Sequence, residues 1–179
     1  MNEKHCIVLG ITGCIAAYKG ADLCSQLTQL GFDVHVIMTE SAAKLVTPQT
    51  FLTLSRNPVT TSLWNIQDWR PEHIALAERA KLLVIAPCTA NVIGKIANGI
   101  ADDALTTFAL AHTENIIIAP GMNPKMWSNP AVQNNVKNLR SRGVIIVGPA
   151  SGHVACGNDG TGRMSDVADI LKAIKKTLK

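Results

Sequence analysis

Three stretches of this sequence carry side chains that chemistry can use and that a simple turn does not need. In PGMNPKMWSNP, Pro120 to Pro130, two methionines, a tryptophan and Asn123 are boxed in by three prolines, directly after the apolar run ENIIIA. Turns favour Pro, Gly and Asn for their backbone preferences, but they have no use for Met and Trp. Met122, Met126 and Trp127 therefore either plug the end of a sheet or wall a site. His73, in PEHIALAE, is either a surface histidine near the start of a short helix or an acid–base group working near neutral pH. Cys156 lies in the glycine-rich stretch GHVACGNDGTGRM, with Arg163 a few residues on, and not in a core strand. A thiol so placed can exchange a proton if its neighbours tune it. Cys6, Cys14, Cys24 and Cys88 read as small apolar fillers.

The elements that must position these groups follow a βαβα rhythm. Cys6 to Leu9, Val34 to Met38, Leu82 to Ala86, Ile116 to Ala119 and Val144 to Val147 are nearly continuous in aliphatic residues. Such runs fit parallel strands covered on both faces. A helix is expected over about residues 14 to 30, ended by Gly31. Further helices are expected at TPQTFLTLS, Asn91 to Asn98, Asp102 to His112, Pro130 to about Arg142 with Asn129 as its cap, and Asp166 to Leu178. TTSLW reads as a short extra strand, and Pro149 to Ser165 as a long irregular loop. The fold class is α/β: a doubly wound, Rossmann-like, mostly parallel sheet with helices on both faces, in a single domain over residues 1–179.

In such a sheet, ligands bind beyond the carboxyl ends of the strands. The exits are GITGCIAA, MTESA, APCTAN, APGMN and GPASGHVACGNDGTGRM. The first offers glycines that let backbone amides approach an anion, but it is not GxGxxG, which counts against NAD. Thr39, Glu40 and Ser41 suit either a helix cap or a phosphate. Thr89, Ala90 and Asn91 again offer hydroxyl, small residue and amide before a helix. Three such exits in succession point to a phosphorylated cofactor of mononucleotide type.

Composition sets the outer limits. The 179 residues are 47% hydrophobic and 17% charged, enough for one sizeable core, and the 4% aromatic content makes that core aliphatic. A net charge of +4 with no long basic block does not suggest a nucleic-acid protein. Five cysteines without a CxxC pair fit reduced thiols in the cytoplasm. No secretory signal is evident, and no apolar run approaches the roughly 20 residues that cross a bilayer. There is no HExxH, no metal-spaced Cys/His cluster and no GxSxG elbow, so neither metal nor serine-hydrolase chemistry is expected.

Read together, PGMNPKMW, APCTANVIGK, ACGNDGTGRM, GITGCIAAYK and HIALA resemble the motifs of the homo-oligomeric flavin-containing cysteine decarboxylases, over about residues 5 to 170. Departures are Cys14 and Thr89 where serine is common, Val92 for a threonine and Gly121 for a frequent alanine. The resemblance implies FMN as cofactor, held by Gly13, Cys14, Ile15, Thr39, Glu40, Ser41, Thr89, Ala90, Asn91, Val92 and Gly121. It implies a substrate such as 4′-phosphopantothenoylcysteine, contacted by Asn123, Met126, Ala155, Gly157 and Arg163, with the segment at about 150–165 as a flexible clamp. Asn123 would hold the carboxylate, Met122, Met126 and Trp127 would shape an apolar wall beside the flavin, His73 would position substrate or accept a proton, and Cys156 would donate the final proton. The family's trimers, often assembled into dodecamers, imply a homo-oligomer, and the chain's length implies a stand-alone decarboxylase. A peptide ending in cysteine is the alternative substrate. A non-catalytic regulatory protein on the same fold is the alternative class.

Overall fold

The computed structural model describes residues 5–64, 72–153 and 159–179. Six parallel strands form the central sheet: β1 (Cys6–Ile11), β2 (Asp33–Met38), β3 (Val59–Thr60), β4 (Leu82–Cys88), β5 (Asn115–Pro120) and β6 (Ile145–Ile146). Their order is β3-β2-β1-β4-β5-β6. The direction of winding reverses between β1 and β4, and that switch point is where an open α/β sheet leaves a crevice.

The side-chain period of two divides each strand between two cores. Ile7, Leu9 and Ile11 of β1 join Val34, Val36 and Met38 of β2 on one face. There they pack against α1 (Ala17–Gln29), α3 (Pro48–Ser55) and α9 (Val167–Thr177). Cys6 and Val8 point the other way, with Leu83, Ile85 and Ile118. That face is covered by α4 (Glu72–Arg79), α5 (Ala90–Asn98), α6 (Ala104–Ala111) and α8 (Pro130–Ser141). Every residue of β1 and β4 is buried, which explains their unbroken apolar sequence. Emptying one such position, as in Leu9→Ala, costs roughly 2–5 kcal/mol.

The expected strands and main helices are present, with three adjustments. Helix α1 begins at Ala17 because Cys14 and Ala17 close a turn, Ala17 N–H donating to the Cys14 carbonyl at 2.8 Å. The extra strand is Val59–Thr60, which shares only Thr60 with the anticipated segment TTSLW. The stretch expected to be an irregular loop instead supplies an antiparallel pair, β7 (Ala150–His153) with β8 (Asp159–Arg163). Two short helices complete the fold, α2 (Glu40–Ala43) and α7 (Pro124–Trp127).

Candidate functional site

A cleft of about 950 Å³ opens above the carboxyl ends of the strands. Pockets that take cofactors and drug-sized ligands run to roughly 300–1,000 Å³. Gly13, Cys14 and Ile15 reach it from the β1 exit, Thr39, Glu40 and Ser41 from β2, Thr89, Ala90, Asn91 and Val92 from β4, and Gly121, Asn123 and Met126 from β5. Arg163 reaches it from β8. Apart from Trp127, the expected site residues with described side chains therefore meet in one place. His73 is the second residue of α4, and its side chain lies outside the described residues. Ala155, Cys156 and Gly157 also lie outside the described residues.

Three of the polar groups are helix caps, which is why they are held at the rim. Thr39 Oγ1 accepts from Ala42 N–H at 3.3 Å and Thr89 Oγ1 from Val92 N–H at 3.4 Å. Each hydroxyl accepts with a lone pair and keeps its O–H for donation. The cap and ligand readings of Thr39 are thus compatible. Asn123 caps α7, its Oδ1 accepting from Lys125 N–H at 2.8 Å. That bond fixes which end of the amide is the acceptor and assigns the donor atoms to Nδ2.

Close packing explains two glycines. A Cβ on Gly13 would lie 2.5 Å from Ser41 Cβ, so the first two exits can approach only through glycine. A Cβ on Gly162 would collide with the Met122 carbonyl oxygen. There the β8 backbone runs flush against the β5 exit, and Met122 N–H donates to the Gly162 carbonyl at 2.9 Å. The hairpin is therefore stitched to the segment that carries Asn123.

The sequence reading missed several lining residues. Lys95 of α5 pairs with Asp102 at 2.6 Å and Asp103 at 3.1 Å, and all three border the cleft. A hydrogen bond to Asp102 is the main cause of the Lys95 ammonium's raised pKa, so its charge is fixed. Lys19 donates to Asp166 at 2.9 Å, and Arg163 lies 3.6 Å from the other oxygen of that carboxylate. Lys19, then Arg163, hold the Asp166 carboxyl below its ordinary pKa. A helical lysine reads in sequence as a solvated side chain, and only the fold brings these to the cleft. Trp127 corrects an expectation: it packs onto the core below with Met122 and Val132 and does not line the cleft. Cys14 is half-buried at the cleft, and burial pushes its thiol pKa up, so it is a neutral neighbour and not a nucleophile.

These residues fit a flavin mononucleotide. Hydroxyls and backbone amides from Gly13, Thr39, Ser41 and Thr89 suit a phosphate, and Ile15, Met122, Met126 and Met164 offer apolar surface for a ring system. Among the described residues one group has metal-ligand atoms close together, Cys6, Asp33 and His35, within 4.8 Å of one another. It lies at the opposite end of the sheet, and the Arg79 guanidinium reaches into it, 2.6 Å from His35 Nε2. That cation already supplies the positive charge those groups face.

The chain is 46% identical over 177 residues to the coenzyme A biosynthesis bifunctional protein CoaBC of Bacillus subtilis, covering 98% of this chain and 43% of that protein. It thus spans under half the length of such bifunctional relatives. It is 41% identical over 175 residues to a probable phosphopantothenoylcysteine decarboxylase of Streptococcus mutans, covering 96% of this chain and 98% of that one. Among solved structures, a cysteine-to-serine mutant of a PPC decarboxylase complexed with pantothenoylaminoethenethiol matches with a TM-score of 0.86 at 30% identity, over 97% of this chain and 98% of that one. The FMN-dependent cysteine decarboxylase SpaF matches with a TM-score of 0.84 at 33% identity, over 97% and 95%. The Flavoprotein family model matches residues 1–179, and the chain belongs to that family.

Proposed function

We propose that this chain decarboxylates 4′-phosphopantothenoylcysteine to 4′-phosphopantetheine, with FMN in the cleft, as a step of coenzyme A biosynthesis. The observation that carries the proposal is the meeting, in one cleft, of phosphate-type exits with Asn123 and Arg163. Likeness at 41% identity, over nearly the full length of both chains, to a probable decarboxylase of this substrate supports it.

The chemical problem is an electron pair without a sink, because an α-amido carboxylate offers none. When bound, FMN supplies a two-electron acceptor that takes electrons from the Cβ–S unit and returns them after CO2 has left, so the net redox change is zero. The protein's part is orientation and proton traffic. Asn123 donates from Nδ2 to the carboxylate, its rotamer fixed by the cap bond to Lys125. Met126 and Met122 keep water from the reacting carbon. His73 positions the substrate or accepts a proton as the Cβ–S unit is oxidised. Cys156 protonates carbon in the final reduction. A solved relative, a cysteine-to-serine mutant of a PPC decarboxylase complexed with pantothenoylaminoethenethiol, supports a cysteine acting at the step that would consume an enethiol.

Two further properties belong to the proposal. The working form is a cytoplasmic homo-oligomer, a trimer or an assembly of trimers. Ile15 and Tyr18, 63% and 62% exposed beside the cleft, support a subunit contact there. No helix among the described residues is long and apolar enough to cross a membrane.

Mass spectrometry of 4′-phosphopantothenoylcysteine incubated with the FMN-supplied protein tests the reaction. Loss of CO2 to give phosphopantetheine is the expected result. Bound flavin with no loss would move the substrate to a peptide ending in cysteine. Neither flavin nor loss would remove the cofactor reading. Cys156→Ser should release a decarboxylated product that is still oxidised, and normal turnover by that variant would take the donor role away from Cys156.

A further inference from the structure

We infer that Thr12 is a positioning residue for the cofactor: its buried hydroxyl sets the floor of the crevice between β1 and β4 and thereby the placement of Thr89. This rests on the reading of the cleft as the FMN site. Thr12 is fully buried, immediately after β1, and is not among the residues that line the cleft.

The backbone pairing of β1 with β4 runs from Ile7 opposite Leu82 to Gly10 opposite Ile85 and goes no further. Beyond that point the strands must diverge, because the crevice at the switch point begins there. Divergence leaves buried backbone groups without ladder partners, a condition that is costly unless another group satisfies them. Thr12 answers it with a side chain. Its Oγ1 donates to the Pro87 carbonyl at 2.8 Å and accepts from the Thr89 N–H at 3.1 Å. One hydroxyl thus supplies the donor and the acceptor that a paired residue of β1 would have given.

The bond continues into the site. Thr89, held at its N–H by Thr12, uses its own hydroxyl to cap α5 at the cleft. Between the two bonded residues, the Cys88 carbonyl accepts from Gly121 N–H at 3.0 Å, and the next residue, Met122, is bonded to Gly162. On the other side, Thr39 N–H donates to the Ile11 carbonyl at 3.0 Å, one residue before Thr12. A continuous lattice of hydrogen bonds therefore crosses the floor from the β2 exit to the β8 strand, and Thr12 holds its centre. Only a small side chain with both a donor and an acceptor serves at that position.

The test is FMN titration of the full chain, read by flavin absorbance and fluorescence, beside thermal melts of the FMN-free protein. Thr12→Val keeps the shape and removes both bonds, and should weaken FMN binding by roughly tenfold or more. Thr12→Ser keeps both bonds and should bind within about twofold of the parent chain, since only a methyl group is lost. If Thr12→Val fails to fold, Thr12→Cys is compared with Thr12→Ser, its thiol being a poor donor and acceptor. Weaker FMN binding by the cysteine variant supports the inference, and equal binding overturns it. A valine variant with a lowered melting temperature and unchanged FMN affinity would make Thr12 purely structural and overturn it too. A parent chain that takes up no FMN would remove the cofactor reading, and this inference with it.

Discussion

The two ends of the same sheet handle polar groups in opposite ways. At the amino end, Asp33 is surrounded by partners: Asn57 Nδ2 donates to it at 2.9 Å, His35 lies at 3.1 Å and Arg79 at 3.5 Å. Nearby a hollow of about 440 Å³ is bordered by Arg142, whose guanidinium is taken up by the Ile96 and Ala97 carbonyls at 3.2 and 2.8 Å. At the carboxyl end, the hydroxyls of Thr39 and Thr89 accept from backbone amides and line a larger cleft, each with an O–H to donate. The difference separates structure from function better than the residue types do. Cys, His, Asp and Arg gather at the amino end, yet they satisfy one another. Threonine, glycine and asparagine hold the site because caps and close contacts fix them around open space.

The largest expected effect tests the carboxyl end directly. Asn123→Asp replaces an amide by a carboxylate of nearly the same shape. Asp caps helices as well as Asn does, so the bond to Lys125 N–H should persist. The donor end becomes an acceptor, and on the proposed reading it would face the substrate carboxylate, a like-charge placement costing several kcal/mol in a desolvated site. Turnover should fall by roughly a thousandfold or more, with flavin still bound and the melting temperature nearly unchanged. Retained activity in a steady-state assay would remove Asn123 from the reaction.

A smaller loss should follow from Gly13→Ala. The added Cβ would sit 2.5 Å from that of Ser41, so two exits must move apart. Overpacking of this kind costs typically 1–3 kcal/mol. Here the strain falls at the mouth of the cleft, so FMN affinity should drop by about tenfold or more. Titration that gave the parent affinity would show that these two exits do not shape the cofactor site.

How much of this was legible in the sequence depends on what each residue answers to. The β1 and β4 strands were legible because burial on both faces demands unbroken aliphatic residues. The exits were legible because caps and close approaches need Thr, Ser, Asn and Gly. The β7–β8 hairpin was not, since ASGH and DGTGR carry no apolar alternation. Its small residues answer to a distant partner: Gly160 and Gly162 lie against Pro124 and Met122, and Ser151 bonds Thr161 at 2.8 Å. Thr12 was read as part of a glycine loop, because nothing local marks it as the tie to Pro87, 75 residues on. Trp127 looked like a site wall because its neighbours are, and only packing shows it turned toward the core.

At the amino end the expected effects are on stability alone. Asp33→Asn leaves an amide beside Arg79 and removes the charge that pairs with it. The loss should be about 1 kcal/mol, or about 2–4 °C in melting temperature, with FMN affinity unchanged. Burial pushes the Asp33 carboxyl pKa up, but hydrogen bonds from Asn57 and His35, with Arg79 beside them, outweigh it and hold the pKa low. A lowered carboxyl pKa gives stability that is complete above the unfolded value, about 3.9, and is lost as pH falls through the folded one. The variant should therefore differ most from the parent near neutral pH and converge with it in strong acid. A parallel loss of flavin affinity would mean that the two ends are coupled after all.

The smallest effect belongs to His112, also at the amino end and 6% exposed. Burial lowers its pKa, against weaker opposing pulls from the Asn115 and Ala77 carbonyls and from Glu114. Its ring stacks on Phe108 with centroids 5.4 Å apart, so the neutral form is part of the core. In the unfolded chain the imidazole gains its proton near pH 6.5, and in the folded chain it does so at a lower pH. Between those two values the unfolded state binds more protons, so stability rises with pH there and is lost on acidification. His112→Gln should flatten the stability profile in the mildly acidic range while leaving decarboxylation at neutral pH intact. Denaturant melts at a series of pH values read this directly. An unchanged slope would assign the acid sensitivity to another group, and a change in turnover at pH 7 would break the separation between an end that serves stability and a working one.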